Sequence, residues 1–343
     1  MSTLDDALEI LKDTGPEYRG SLSNHGPMAA EALSSMGRTG DVVRWTESYR
    51  KRLFDRPPGR KAVSRAGFRE ALGDYSRFAD WVVFFETELK EAAWRDVVRR
   101  FAGELAPGFI GVAAHGIIRV GHAVRSLSTE ETVPRRRELV DALAYWASRY
   151  QTLPEKHDLS SGLIPSQALA HLKLLPETFR RKGSLITTEV ADLAGFPPFE
   201  KVADLVDAQA EPAALLSDLT QAFARVYVEH VEPSGKVIAL LHAVTGPAAV
   251  RPLLPLVDPA TAARLLRYAW QGAAALYMRY GVAKPSPPDP RRTTWDEVAD
   301  RAVRSGDEHA IKLCAACRSE NALEPSPVYL AAADDAARRL GRG

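Results

Sequence analysis

Eight histidines stand in a chain of 343 residues that carries only two cysteines. Imidazole is therefore the one abundant side chain here able to ligate a transition metal or to move a proton near neutral pH. Four histidines occupy apolar helix ends or faces. His25 lies in Asn24-His25-Gly26-Pro27-Met28, where Asn24 can cap a helix opening near Pro27. His115 lies in Ala114-His115-Gly116-Ile117-Ile118-Arg119, and Gly116 lets another element approach closely. His242 has the most apolar surroundings, Ile238-Ala239-Leu240-Leu241-His242-Ala243-Val244-Thr245. A buried imidazole needs a partner for each ring nitrogen, and a metal is one way to supply it. His309 lies in Asp307-Glu308-His309-Ala310-Ile311-Lys312, so Lys312 leaves the same helix face one turn on.

Each of these has a plainer alternative: a capping-loop residue for His25, a satisfied core residue for His115, a surface charge pair for His309 and Lys312. His122 follows His115 by two turns, about 10.5 Å along a helix. Two histidines so far apart cannot share an ion with bonds near 2.1 Å, so at most one belongs to a single-metal site. His157 and His230 read as solvated, and His171 as partly buried packing. Lys312 could approach a metal only as a neutral amine or as a carbamate. Four imidazoles on four helices could converge in a bundle core. Such a set suits Fe, Zn, Cu or Ni better than Mg or Ca. Cys314 and Cys317 lack a second pair at zinc-ribbon spacing and read as buried packing thiols.

The elements that must position these residues read as helices almost throughout. Apolar residues recur at 3.6-residue spacing, and proline-containing turns such as Pro57-Pro58, Pro197-Pro198 and Pro287-Pro288 separate the segments. Helices are expected near residues 27–35, 41–54, 74–105, 109–127, 138–150, 212–231, 236–244, 260–280, 295–304 and 307–319. A short amphipathic helix is expected at the N-terminus and a weaker one over 334–340. No series of alternating strands is visible; residues 184–188 read as a short extended link. The expectation is an all-α fold, one large multi-helix domain over 1–343. Lys plus Arg is 45 and Asp plus Glu 44, a net charge of +1. That balance argues against a nucleic-acid binder. Two cysteines exclude a disulfide framework. The N-terminus lacks the basic and apolar regions of a secretory signal, and no apolar run approaches the ~20 residues that span a bilayer. The default expectation is a cytoplasmic protein with no membrane partner. No Gly-x-Gly-x-x-Gly after a strand, phosphate loop, His-Glu-x-x-His or Gly-x-Ser-x-Gly is present.

Five segments together resemble the questin oxidase-like family. They are Asn24-His25-Gly26-Pro27-Met28 with Glu31-Ala32-Leu33, then Ala114-His115-Gly116-Ile117-Ile118-Arg119, then Ala142-Leu143-Ala144-Tyr145-Trp146, then His242-Ala243-Val244-Thr245, and Asp307-Glu308-His309-Ala310-Ile311-Lys312-Leu313. Each is weak alone, but their order spans nearly the whole chain. The resemblance implies oxidative ring opening of anthraquinone-type polyketides by O₂. It implies a metal, best a non-haem iron, held by His25, His115, His242 and His309, with carbamylated Lys312 as a fifth ligand. Arg119 would then neutralise a phenolate or orient a ligand, and Thr245 would offer a hydroxyl beside the centre. Tyr145 and Trp146 would be walls for a flat aromatic substrate, or else core packing. Members of the family were labelled Baeyer–Villiger oxidases that use NADPH, so a metal-free NADPH-dependent monooxygenase is one alternative. A non-catalytic helical protein that binds an aromatic metabolite is another.

Overall fold

Four of the helices form the frame that matters for function. In the computed structural model, which describes residues 3–156, 162–181, 183, 185–207, 210–287 and 292–341, sixteen α-helices and one two-residue hairpin are present among those residues. In chain order they are α1 (Thr3–Leu11), the hairpin β1 (Glu17–Tyr18) and β2 (Leu22–Ser23), α2 (Gly26–Ser35), α3 (Thr39–Arg50), α4 (Phe68–Ala71), α5 (Phe78–Glu91), α6 (Trp94–Leu105), α7 (Gly111–Thr129) and α8 (Val133–Ser148). Then follow α9 (Pro165–Ala168), α10 (Ile186–Val190), α11 (Pro212–Ser234), α12 (Val237–Ala248), α13 (Pro259–Tyr280), α14 (Trp295–Ser305), α15 (Glu308–Leu323) and α16 (Pro327–Arg339). Helix α2 packs on both α7 and α15, and α12 packs on the same two, which closes a central ring of four. Outer helices cover each side: α1 and α3 on α2, α8 on α7, α11 and α13 on α12, α14 and α16 on α15.

Local signals explain most boundaries. Thr294 caps α14 and Glu297 returns the bond to the Thr294 N–H, a reciprocal capping box. Asp307 accepts from the His309 and Ala310 N–H groups and opens α15. Left-handed glycines end α11 at Gly235 and α14 at Gly306. The apolar stretch Val237–Leu256, long enough to attract notice as a membrane span, is α12 plus a 3₁₀ turn, and two thirds of its most apolar window is buried in the protein core.

Several expected elements come out differently. The stretch 74–105 is two helices, because Ala92 and Ala93 are extended between α5 and α6. Their apolar period runs on across the break because both helices pack against α8. The segment 184–188, expected to be an extended link, runs into α10, with Ser184 outside the described residues; Pro288 of the expected Pro287-Pro288 turn also lies outside them. The C-terminal helix is longer than expected, because Pro327 starts it at a position where a missing N–H costs nothing.

Helix α7 departs most. Val112, Ala113 and Ala114 have φ of 45°, 56° and 66°, a left-handed turn at its start with no glycine among them. Such conformations cost roughly 1–2 kcal/mol per residue, so the surrounding packing imposes this one. Two close approaches fix the helix. A side-chain carbon at Gly116 would lie 2.7 Å from the Trp146 backbone on α8, and one at Gly121 would lie 2.5 Å from the Ala249 carbonyl just past α12.

Candidate metal centre

The four helices of the ring each deliver one imidazole to its interior. His25 immediately precedes α2, and its backbone N–H donates to the Tyr49 hydroxyl of α3 at 2.9 Å. Asn24 anchors this loop by donating to Thr14 Oγ1 and the Gly15 carbonyl and accepting from the Gly26 N–H, each at 2.9 Å. His115 follows the left-handed turn on α7, His242 is central in α12, and His309 is in the first turn of α15. The His25 ring centroid lies 4.6 Å from that of His115 and 4.4 Å from that of His309. The His115 and His242 centroids are 4.6 Å apart, and those of His242 and His309 are 5.5 Å apart. Ring nitrogens of His25, His115 and His309 all fall within 4.8 Å of one another. His242 joins through its Nε2, which stands 3.2 Å from His115 Nε2.

That last contact decides the chemistry. His115 Nδ1 faces the Val112 carbonyl, presented by the left-handed turn, and His242 Nδ1 faces the Ile238 carbonyl at 2.5 Å. A carbonyl only accepts, so both Nδ1 atoms carry the proton. Both Nε2 atoms therefore turn lone pairs toward each other. Burial, helped by the positive charge of neighbouring groups, holds His25, His115 and His242 well below the usual imidazole range, which keeps them neutral. Two facing lone pairs repel unless a cation lies between them. With bonds near 2.1 Å, adjacent ligands of an ion stand about 3.0 Å apart in an octahedron and about 3.4 Å in a tetrahedron. The observed 3.2 Å falls between.

Lys312 completes the picture. It lies one turn beyond His309, is 1% exposed, and its Nζ has no hydrogen-bond partner. Burial pushes its amine down to about 8, against the opposing pull of Glu308 and Asp307. His25 Nδ1 is likewise buried without a partner. Two orphaned nitrogens and two facing lone pairs are a donor set that a cation would satisfy. The residues fit a transition metal.

The other residues singled out from the sequence lie in a second layer. Arg119 is buried and donates through Nε and Nη2 to the Glu138 carboxylate of α8 at 2.6 and 2.8 Å, with Asp141 at 3.8 Å. The Tyr145 hydroxyl sits between Ser23 Oγ at 2.8 Å and Glu17 Oε1 at 3.0 Å. Trp146 donates to the Gly108 carbonyl at 3.2 Å and packs against Gly116. Thr245 donates to the Leu241 carbonyl at 3.2 Å and lines a cavity of about 130 Å³ that also reaches Lys312.

Two histidine readings are corrected. His230 is buried on the inner face of α11, its Nδ1 accepting from the Val282 N–H at 3.1 Å and its ring edge-on to Tyr277. The acidic neighbours Glu229 and Glu232 that suggested solvent lie on the outer face of that helix. His171 is exposed, in a surface 3₁₀ turn whose leucines are only half-buried. His157 lies outside the described residues. Cys314 and Cys317 are free and buried, and burial pushes the Cys314 thiol up to about 12, as expected of packing thiols.

Sequence reasoning missed the carboxylates. Glu31, Glu138 and Glu17 are each buried against an arginine. Glu31 and Glu138 both sit where helix patterning calls for an apolar residue, and that mismatch is the signal that could have found them.

Among known protein families, the model described as Questin oxidase-like matches residues 22–317. No curated protein matches the chain.

Proposed function

Because the chain belongs to the questin oxidase-like family, whose name is that of an oxidase, we propose that it is a metal-dependent oxygenase. In this reading it opens a ring of an anthraquinone-like polyketide by oxidative C–C cleavage with O₂. His25, His115, His242 and His309 hold the metal, and Lys312 completes the set as a carbamate. The observation that carries the reading is the 3.2 Å approach of two Nε2 lone pairs whose Nδ1 protons are both committed to carbonyls.

Imidazole-rich ligation admits Fe, Zn, Cu or Ni; the need for redox chemistry removes zinc, and the family resemblance favours iron among the rest. When bound, the ion supplies what ground-state O₂ needs to react with a closed-shell substrate. The chain's own residues do the rest. The Val112 and Ile238 carbonyls fix the tautomer and aim of His115 and His242. Asp307 stands 3.5 Å from His309 Nδ1. The apolar faces of α7 and α12 exclude water and keep the imidazoles neutral. Carbamylation of Lys312 forms an N–C bond from the neutral amine to CO₂ and releases one proton, and an amine held near 8 supplies that neutral form readily. The Arg119–Glu138 pair holds α7 on α8.

Metal analysis of the purified protein tests the reading. One transition-metal ion per chain is expected in the wild type, and His242→Ala should lose it while keeping its helical circular dichroism. A wild type free of metal after purification and reconstitution with iron removes the reading. A folded His242→Ala variant with full metal content removes that residue from the site.

A further inference from the structure

The second histidine of α7 has an arrangement of its own. His122 Nδ1 lies 2.6 Å from Glu31 Oε2 on α2. The same carboxylate accepts from Arg125 Nε at 2.7 Å and from Arg125 Nη2. Burial alone would raise Glu31, but Arg125 and His122 overturn that and hold it down at about 2. It is therefore an ionised acceptor, and although Arg125 Nη2 also stands 3.2 Å from His122 Nδ1, the closer carboxylate oxygen assigns the proton to that nitrogen. The lone pair is left on Nε2, which makes no hydrogen bond among the described residues.

That nitrogen belongs to a ring that lines the cavity of about 130 Å³ between α7, α12 and α15. Gly121, Ala248, Ala249 and Ala316 give the cavity small walls, and Lys312 and Thr245 lie at the end nearer the histidine cluster. Of the charged groups around His122 among the described residues, only Lys312, across the same cavity, has no hydrogen-bond partner. Arg125 is taken by Glu31, and Arg251 by Glu320 of α15 at 2.5 and 3.2 Å. An imidazole oriented through one nitrogen by a carboxylate, on a ring that lines a cavity and with no hydrogen bond at its other nitrogen among the described residues, is the base-and-orienter arrangement of acid–base catalysis. An ion triad that only holds helices together has no need of such a nitrogen.

We propose that His122, oriented by Glu31, is a general base for a phenolic ligand seated in this cavity. The ligand's O–H bond breaks, a new N–H bond forms at Nε2, and the electron pair stays on oxygen as a phenolate. The ligand class rests on the oxygenase reading above; the base assignment does not depend on the metal. Ionising the phenol makes the ring electron-rich at the moment it meets the oxidant.

The test uses the metal-loaded protein and a hydroxyanthraquinone dye whose visible band moves to longer wavelength when its phenol ionises. Bound to the wild type, the dye should ionise at least one pH unit below its midpoint in His122→Asn and His122→Gln, roughly a tenfold change in proton affinity. In turnover, the same variants should lose about 10²–10⁴-fold in kcat, with KM and metal content unchanged. Ala316→Trp should fill the cavity and expel the dye. The proposal is overturned if the His122 variants leave both midpoint and kcat unchanged, if the wild type fails to bind the dye or binds it un-ionised, or if Ala316→Trp still binds it. Failure of the metal reading would show separately, as a wild type without metal whose dye still ionises.

Discussion

Replacing Gly116 with alanine separates a packing role from a ligand role at the heart of the site. The added carbon would stand 2.7 Å from Trp146 Cα and 2.8 Å from its Cβ and Cδ1. Ordinary contact for such a carbon begins at 3.4 Å, so α7 and α8 must part by about 0.7 Å. Backbone is what it meets, and no side-chain rotation relieves it. Overpacking of this kind costs about 1–3 kcal/mol. With an unfolding entropy near 2.1 cal/mol/K per residue, a 343-residue chain loses about 1.4–4 °C in Tm. The functional effect is larger. Ligand distances tolerate about 0.2 Å, and the displaced residue adjoins His115. Metal affinity should fall about 10–100-fold, as when an orienting partner is lost. Calorimetry of the metal-free protein gives the first number and competitive metal titration the second. Gly40→Ala serves as the control, because nothing lies within 4 Å of its added carbon, and it should raise stability by a few tenths of a kcal/mol. Equal Tm and equal metal affinity in Gly116→Ala and wild type would refute the reasoning.

Two further outcomes follow from the buried ion pairs. Arg119→Met should cost about 3–5 kcal/mol in urea unfolding, because Glu138 is left as an unpaired buried acid, whereas Asp141 keeps its Arg56 partner. Arg119→Lys should recover only part of this, since an ammonium cannot match the two-point contact; full recovery would contradict that account. Glu31 gives a pH signature: its folded-state carboxyl lies at about 2 against 4.5 in the unfolded chain. Its stabilisation, about 3 kcal/mol, is present above pH 4.5 and fades as pH falls toward 2. The gap in unfolding free energy between wild type and Glu31→Gln should accordingly narrow from about pH 5 downward and close only near pH 2, and a gap that stays constant would count against the pairing.

The parts of this molecule legible in the sequence are those written locally. The 3.6 period, Asn24 before Gly26-Pro27, and Asp307 before Glu308 mark helices whose bounds the structure places within a few residues. The four histidines that meet in the ring are the four read at apolar helix ends. What was not legible depends on partners distant in sequence. The turn at Val112–Ala114 contains ordinary residues, and only packing forces it left-handed. Arg119 reads as a free cation until Glu138 is placed against it. His122 reads as too far from His115 to share an ion, and that same distance places it on the cavity with Glu31 behind it. The Ala92–Ala93 break leaves no mark in a hydrophobic pattern that continues across it.

The ring of four helices also sets an order of events during synthesis. Its members stand at the start, the first third, the last third and the end of the chain, so the histidine cluster is among the most non-local contacts the protein makes. Loop closure must be completed before such contacts repay it, which makes them late in folding. A chain emerging N-terminus first can dock α2 on α7 early, but α15 is the last of the four ring helices to leave the ribosome. On the proposed metal-dependent reading, metal capture would mark a finished ring: a half-made chain offers too few ligands to hold an ion, and the completed one would be locked by it.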